Sequence, residues 1–246
     1  MHPFIQIMTE LLYPRRCPLC DGILGRAEPL LCRDCGRKLR FAKEPRCFRC
    51  GRPLEREEQE YCGNCARIRH RFEEGFAPFP YEGVYKESVL RFKYGGRQEY
   101  AGFYSAAILR FGAEKIRGWD PQVLVPVPLH RERLLKRGYN QAQVLADSLA
   151  EKTGIPAVSG AVIRRKNTAA QKLLGSRERR KNLDQAFAPG KDIRAWKRAL
   201  IVDDIFTTGS TVDAVAKVLK DWGTERVFFV CVCVTPGGIS QLPLHT

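Results

Sequence analysis

Apolar positions in the later part of the chain follow two alternating rhythms. Val123 to Val127, Ala199 to Asp203 and Arg226 to Thr235 are nearly continuous apolar runs, the pattern of parallel strands buried on both faces. Between them the spacing turns helical. Gln98 to about Lys115 carries Phe103, Ala106, Ala107, Leu109 and Phe111; Tyr139 to Lys152 carries Val144, Leu145, Leu149 and Ala150, with Gly154 as a stop signal; Thr211 to Trp222 runs up to Gly223. Ser88 to Lys93 reads as a short helix broken by Gly95-Gly96, and Ala161 to Arg164 as a short strand. Phe76 to Tyr81 and Val84-Tyr85 read as extended pieces that their prolines confine to edges or bulges. Such alternation predicts an α/β fold, a parallel sheet flanked by helices. Cys231 and Cys233, two apart on the last strand, are expected to be small buried residues on one face.

The beginning of the chain has no such rhythm. It carries four Cys-x-x-Cys pairs, Cys17/Cys20, Cys32/Cys35, Cys47/Cys50 and Cys62/Cys65, at a constant step of 15 residues. Two intervening residues let a tight turn aim both thiolates at one ion, and a second pair closes the tetrahedron. Gly36 and Gly51 directly follow a cysteine, where such turns need a positive φ. The spacing therefore predicts two structural Zn2+ sites that stabilise a segment too poor in apolar residues for its own core. Pairing first with second and third with fourth closes the shortest loops and is preferred on entropy. A disulfide scaffold is the rival, but Met1 to Tyr13 lacks the features of a secretory leader. The chain divides near Arg71, into a zinc-ribbon domain over residues 1–71 and a second domain over 72–246. With no apolar run of about 20 residues and reduced thiols, a soluble, cytoplasmic protein is expected.

Eight metal-bound thiolates and two dications would lower the formal charge of +15 to +11, still strongly basic. Arg164, Arg165, Lys166, Lys172, Arg177, Arg179, Arg180 and Lys181 face only Glu178 within one aperiodic stretch. That stretch is expected to be a mobile loop with an anionic partner, whether a small phosphate ligand or a nucleic acid.

The segment Ala199-Leu-Ile-Val-Asp-Asp-Ile-Phe-Thr-Thr-Gly-Ser-Thr211 ends a buried strand with two carboxylates and opens a helix with a hydroxyl-rich, glycine-containing turn. Backbone N–H groups of Thr207, Thr208, Gly209, Ser210 and Thr211 are placed to converge on a monophosphate at the positive end of a helix dipole. Asp203 and Asp204 would reach the sugar hydroxyls. This run resembles the 5-phosphoribosyl-1-pyrophosphate (PRPP) motif of type I phosphoribosyltransferases. The neighbouring strand ends in Val125-Pro-Val-Pro-Leu-His-Arg131, where a pyrophosphate would dock. An X-Pro bond at Pro126 or Pro128 could turn amides toward it, cis geometry costing only ~0.5–1 kcal/mol. Arg131, Arg133 and Arg137 add positive charge.

Together with the ribbons, Phe92-Lys93, Arg137-Gly-Tyr-Asn-Gln141, Thr168-x-x-Gln171-x-x-Leu174, Arg179-x-x-Asn182 and Ala186-Phe187, these motifs resemble the ComF family of competence-associated, phosphoribosyltransferase-like proteins. The resemblance implies a type I phosphoribosyltransferase-like core behind a zinc ribbon, and an association with natural transformation and uptake of single-stranded DNA. In an enzyme, Mg2+ would be held mainly by PRPP oxygens and water. Arg179 and Lys93 would then meet phosphates, and residues 164–182 would fold over the site. The alternative is a non-catalytic sensor that uses the PRPP pocket while binding single-stranded DNA or DNA-uptake proteins. For that role Phe48, among Arg46 and Arg49, and Tyr139, beside Arg137, are the candidate stacking platforms.

Overall fold

The computed structural model describes residues 14–25, 27–165 and 185–236. The expectations for Met1 to Tyr13, for Arg179 and for the basic loop beyond Arg165 lie outside the described residues. Two short helices, α1 (Arg33–Arg37) and α2 (Gly63–Arg67), belong to the cysteine-rich part. There follow β1 (Gly75–Phe76), β2 (Phe79–Pro80), α3 (Gly83–Tyr94), α4 (Tyr100–Trp119), β3 (Val123–Pro126), α5 (Arg131–Arg137) and α6 (Gln141–Thr153). The last elements are β4 (Val162–Arg164), β5 (Phe187–Pro189), β6 (Arg198–Phe206), α7 (Ser210–Asp221) and β7 (Arg226–Val234).

The main sheet is parallel throughout, with β7 between β6 and β1, and β6 between β7 and β3. β2 continues the β1 edge along the same partner, Gly75 facing Phe229 and Phe79 facing Cys233. The proline-interrupted segment thus forms an edge, as Pro78 and Pro80 require. Val84-Tyr85 is helical instead: Gly83 turns at φ 48° and α3 begins at once, with Tyr85 stacked on Phe79 and accepting a 2.6 Å hydrogen bond from the Arg40 N–H. The short strand expected over Ala161–Arg164 forms as Val162–Arg164, which pairs antiparallel with β5 in a separate two-stranded sheet. α5 is short, mostly exposed and leaves no apolar stripe to read.

Both faces of the sheet are covered. Tyr104 and Ile108 of α4 and Leu145 and Leu149 of α6 pack on Leu200, Val202, Phe228 and Val230. On the other side Val212, Val215 and Leu219 of α7 join Ile201, Val227 and Phe229. Cys231 falls in the second cluster and Cys233 in the first, so they do not share a face. The alternation slips after Val232, which is what moves Cys233 across. Both thiols are buried, and desolvation pushes them well above their ordinary pKa.

Each ribbon is docked on this core. Cys17 and Leu19 join the α4/α6 side, while Cys47, Cys50 and Cys62 join the α7 side. Gly51 shows how tight the second docking is: its φ is 68°, and a Cβ there would lie 2.7 Å from the Gly75 carbonyl oxygen of β1. Among the described residues no helix is long and apolar enough to cross a membrane.

Candidate phosphate site and zinc centres

The eight ribbon cysteines gather as Cys17/Cys20/Cys32/Cys35 and Cys47/Cys50/Cys62/Cys65, the sulfurs within each set lying within 4.8 Å of one another. This is the sequential pairing favoured by loop entropy. A tetrahedral ion with Zn–S near 2.3 Å has sulfur–sulfur edges of about 3.8 Å. The Cys20–Cys32 and Cys50–Cys62 sulfurs are 3.8 and 3.7 Å apart, far beyond a disulfide bond. The donor sets fit zinc.

The second constellation lies where β3 and β6 end side by side. A cleft of about 280 Å³ is lined by Lys93, Arg133, Arg137, Gln141, Arg164, Asp203, Asp204, Thr207 and Thr211, among others. The parallel pairing of Val125 with Ile201 puts the two strand ends at one level, the usual ligand position of such a sheet. Asp204 is held on both oxygens: Lys93 Nζ lies 3.0 Å from Oδ1, and Gln141 Nε2 donates to Oδ2 at 3.0 Å. Asp203 Oδ1 accepts from the Asp204 N–H at 2.8 Å. Burial works to depress the Lys93 ammonium, but the adjacent Asp204 carboxylate outweighs it, so its pKa is raised. Desolvation, and then the neighbouring Asp204 charge, pushes Asp203 up to about 7. Burial, followed by the charge of Arg133, lowers Arg164, whose guanidinium stacks on Phe187 at 5.2 Å.

The Asp203 shift has a consequence for stability. Between about pH 4 and 7 the folded protein holds a proton that the unfolded chain has released, so this group makes ligand-free stability fall as pH rises through that window. Thermal midpoints at pH 5 and 7.5 are expected to show the fall, and Asp203→Asn to flatten it. An unchanged slope in the variant would contradict the assignment.

The turn after β6 leads into α7 through Gly209, at φ 81°. A Cβ there would approach the Phe206 ring to 2.9 Å and His70 Cε1 to 3.1 Å, so glycine is required on both counts. Ser210 N–H reaches Thr208 Oγ1 at only 3.5 Å. Among the described residues, the N–H groups of Thr207, Thr208, Gly209 and Thr211 have no protein acceptor.

Several expectations change. Lys93 is paired with Asp204 instead of standing free for a phosphate. Arg131, exposed at the start of α5, is not on the cleft wall; Arg133 and Arg137 are, one helical turn apart on the inner side. Val125–Pro126 and Val127–Pro128 are trans, the cis bond among the described residues being Glu44–Pro45. Tyr139 is buried and donates its hydroxyl to the Phe92 carbonyl, so it is not a free stacking surface, whereas Phe48 is exposed. The cleft role of Gln141 escaped notice because it was read only as part of a longer motif. The support behind the Thr207–Thr211 turn, from Arg52, Asn64, His70 and Asp213, was missed too. Its one local signal is Asp213, a carboxylate buried in the apolar stripe of α7.

Comparisons agree with this geometry. The double zinc ribbon domain matches residues 8–66 and the phosphoribosyl transferase domain residues 134–241. Competence protein F of Haemophilus influenzae is 39% identical over 44% of this chain and 48% of its own length. DNA utilization protein YhgH of Escherichia coli K12 is 34% identical over 60% of this chain and 66% of its own. The chain thus matches about half the length of the first relative and just under two thirds of the second. A purine phosphoribosyltransferase from Pyrococcus horikoshii aligns over 55% of this chain and 71% of its own, at 18% identity and a TM-score of 0.33, too loose a likeness to bear on function. The chain thus carries a double zinc ribbon domain ahead of a phosphoribosyl transferase domain, and it is similar to competence and DNA utilization proteins, in line with the ComF resemblance of its motifs.

Proposed function

We propose that the cleft binds PRPP or a related ribose phosphate, and that residues 72–246 form the binding domain and residues 1–71 the zinc-ribbon domain. The observation that carries this is the set of open N–H donors of Thr207, Thr208, Gly209 and Thr211, beside the Asp203/Asp204 pair at the strand end. The amides receive the 5-phosphate, favoured by the α7 dipole. Asp203, whose Oδ2 has no partner among the described residues, accepts from the ribose hydroxyls. Arg133 and Arg137 lie on the wall where the pyrophosphate would rest.

A single open carboxylate oxygen, Asp203 Oδ2, suits Mg2+ held chiefly by ligand oxygens and water. When bound, that ion would neutralise pyrophosphate charge. If the protein turns over, Asp203 and Asp204 stabilise positive charge growing at the anomeric carbon as pyrophosphate leaves. Through the relatives' names, competence protein F and DNA utilization protein, the role extends to DNA uptake in the cytoplasm.

A second reading, a PRPP sensor that also contacts single-stranded DNA or a partner protein, has its own observation. Phe48 and Tyr61 on the second ribbon are 63% and 42% exposed and meet edge to face at 6.3 Å.

The test is a calorimetric titration of PRPP with and without Mg2+, on wild type and Asp203→Asn, followed by a pyrophosphate-release assay with nucleobases. Wild type is expected to bind, and the variant to bind at least about tenfold more weakly, since it loses a hydrogen bond to a charged group. Absence of PRPP binding by wild type ends the proposal. Binding without pyrophosphate release favours the sensor.

A further inference from the structure

The second zinc ribbon reaches the back of the phosphate turn with two side chains. Arg52 donates from its guanidinium to the Thr207 carbonyl and, at 3.2 Å, to Thr235 Oγ1. Asn64 Nδ2 donates to the Thr208 carbonyl at 3.0 Å and lies 3.3 Å from His70 Nε2. His70 Nδ1 is 2.6 Å from Asp213 Oδ2 in the first turn of α7, and the Arg71 N–H donates to Asp213 Oδ1 at 2.8 Å. With Nδ1–H donating to the carboxylate, Nε2 is an acceptor, and the two hydrogens of one Asn64 amide nitrogen are both used. The orientation of Asn64 is thereby fixed.

In a trans peptide the C=O and N–H point in opposite directions. Pinning the Thr207 carbonyl to Arg52 turns the Thr208 N–H away from the ribbon, and pinning the Thr208 carbonyl to Asn64 does the same for the Gly209 N–H. Two successive donors are thus aimed to the opposite side of the turn by groups more than 140 residues earlier in the chain. Arg52 is only 6% exposed, and no carboxylate pairs with it among the described residues. A buried cation on the carbonyl end of a peptide polarises it and strengthens its N–H as a donor. An anion on the far side of that peptide supplies the compensating charge.

We infer that Arg52 and Asn64 are positioning residues for a phosphate monoester: the second zinc ribbon orients and polarises the amides of Thr208 and Gly209 that bind it. The inference rests on the ribose-phosphate reading above, and names the part of the ligand the ribbon controls. Ribose 5-phosphate carries that monoester; pyrophosphate lacks the sugar and is bound from the β3 side of the cleft.

The experiment measures dissociation constants of PRPP, ribose 5-phosphate and pyrophosphate, each with Mg2+, for wild type, Arg52→Met, Arg52→Lys and Asn64→Ala. Zinc content is determined on every sample, and amide shifts of Thr208 and Gly209 are followed by NMR. In Arg52→Met, ribose 5-phosphate and PRPP are expected to weaken at least tenfold, with pyrophosphate within twofold of wild type and two zinc ions retained. Arg52→Lys is expected to restore part of the loss, and the downfield movement of the Gly209 amide on adding ribose 5-phosphate to shrink in Asn64→Ala. Should Arg52→Met lose zinc, Asn64→Ala, at a partly exposed position, decides alone by the same criteria. Equal weakening of pyrophosphate, or wild-type affinity for ribose 5-phosphate in zinc-replete variants, overturns the inference while leaving the cleft reading intact. Failure of wild type to bind either sugar phosphate overturns both.

Discussion

Chelation is expected to strip zinc in two separable steps, and only the second should take the fold with it. In the first cluster Cys20 is exposed and Cys32 and Cys35 are partly so, whereas Cys47, Cys50 and Cys62 of the second are buried, Cys50 at 1%. A chelator meets the first thiolates directly but reaches the second only after the ribbon opens. Structural zinc supplies roughly 10–16 kcal/mol of apparent binding energy in small ribbons, comparable with the about 5–15 kcal/mol that holds a whole domain folded. The second set also shares its apolar cluster with Phe72, Phe206 and Phe229, so its loss exposes the edge of the sheet and the back of the phosphate turn. A colorimetric chelator should therefore draw off one equivalent with near-ultraviolet circular dichroism unchanged. The second equivalent should follow slowly, together with that signal. Cys50→Ser is expected to hold one ion and lose cooperative unfolding, while Cys20→Ser loses one ion at smaller cost. Release of both ions in one phase, or a Cys50→Ser protein as stable as wild type, would contradict this account.

What could be read from the chain and what could not divide along sequence distance. Ala199 to Thr211 announced a strand, two acids and a turn because each signal is local: an apolar run, adjacent carboxylates, a glycine with hydroxyls around it. The cysteine pairs were legible for the same reason, and even their partnering followed from loop length. Lys93 was identified as a site residue, yet its role changed, since its ion pair with Asp204 depends on α3 and β6 meeting in space. Arg52 and Asn64 left no trace in the pattern. Their contacts with Thr207 and Thr208 cross 155 and 144 residues, and a polar residue in a ribbon looks the same whether it faces water or a neighbouring carbonyl. β5 went unnoticed because three residues, Phe187 to Pro189, are too few to show a period.

Replacing Lys93 by methionine is expected to destabilise the protein by about 3–5 kcal/mol at pH 8 and by much less at pH 5. The side chains of Lys93 and Asp204 are 16% and 9% exposed, and removing one partner of a buried pair leaves the other charge without compensation. Methionine fills much of the same volume, so packing loss is a minor part. Without the ammonium, whose charge lowers Asp203, the neighbouring Asp204 charge pushes Asp203 further up. The folded variant then holds a proton on Asp203 that the unfolded chain has released above about pH 4, and its stability falls as pH rises. At pH 5 Asp203 is already protonated and the penalty shrinks. Urea unfolding at the two pH values measures the difference. The double variant Lys93→Met/Asp204→Leu removes both charges and is expected to recover most of the stability at pH 8, because apolar replacement of a buried pair is often neutral or better. Its PRPP binding should stay weak, since one of the two acids facing the sugar is gone. Equal destabilisation of Lys93→Met at both pH values would show that the lysine acts through packing and not through its charge. Tight PRPP binding by the double variant would show that Asp204 does not meet the ligand, leaving Asp203 as the single acid on the ribose.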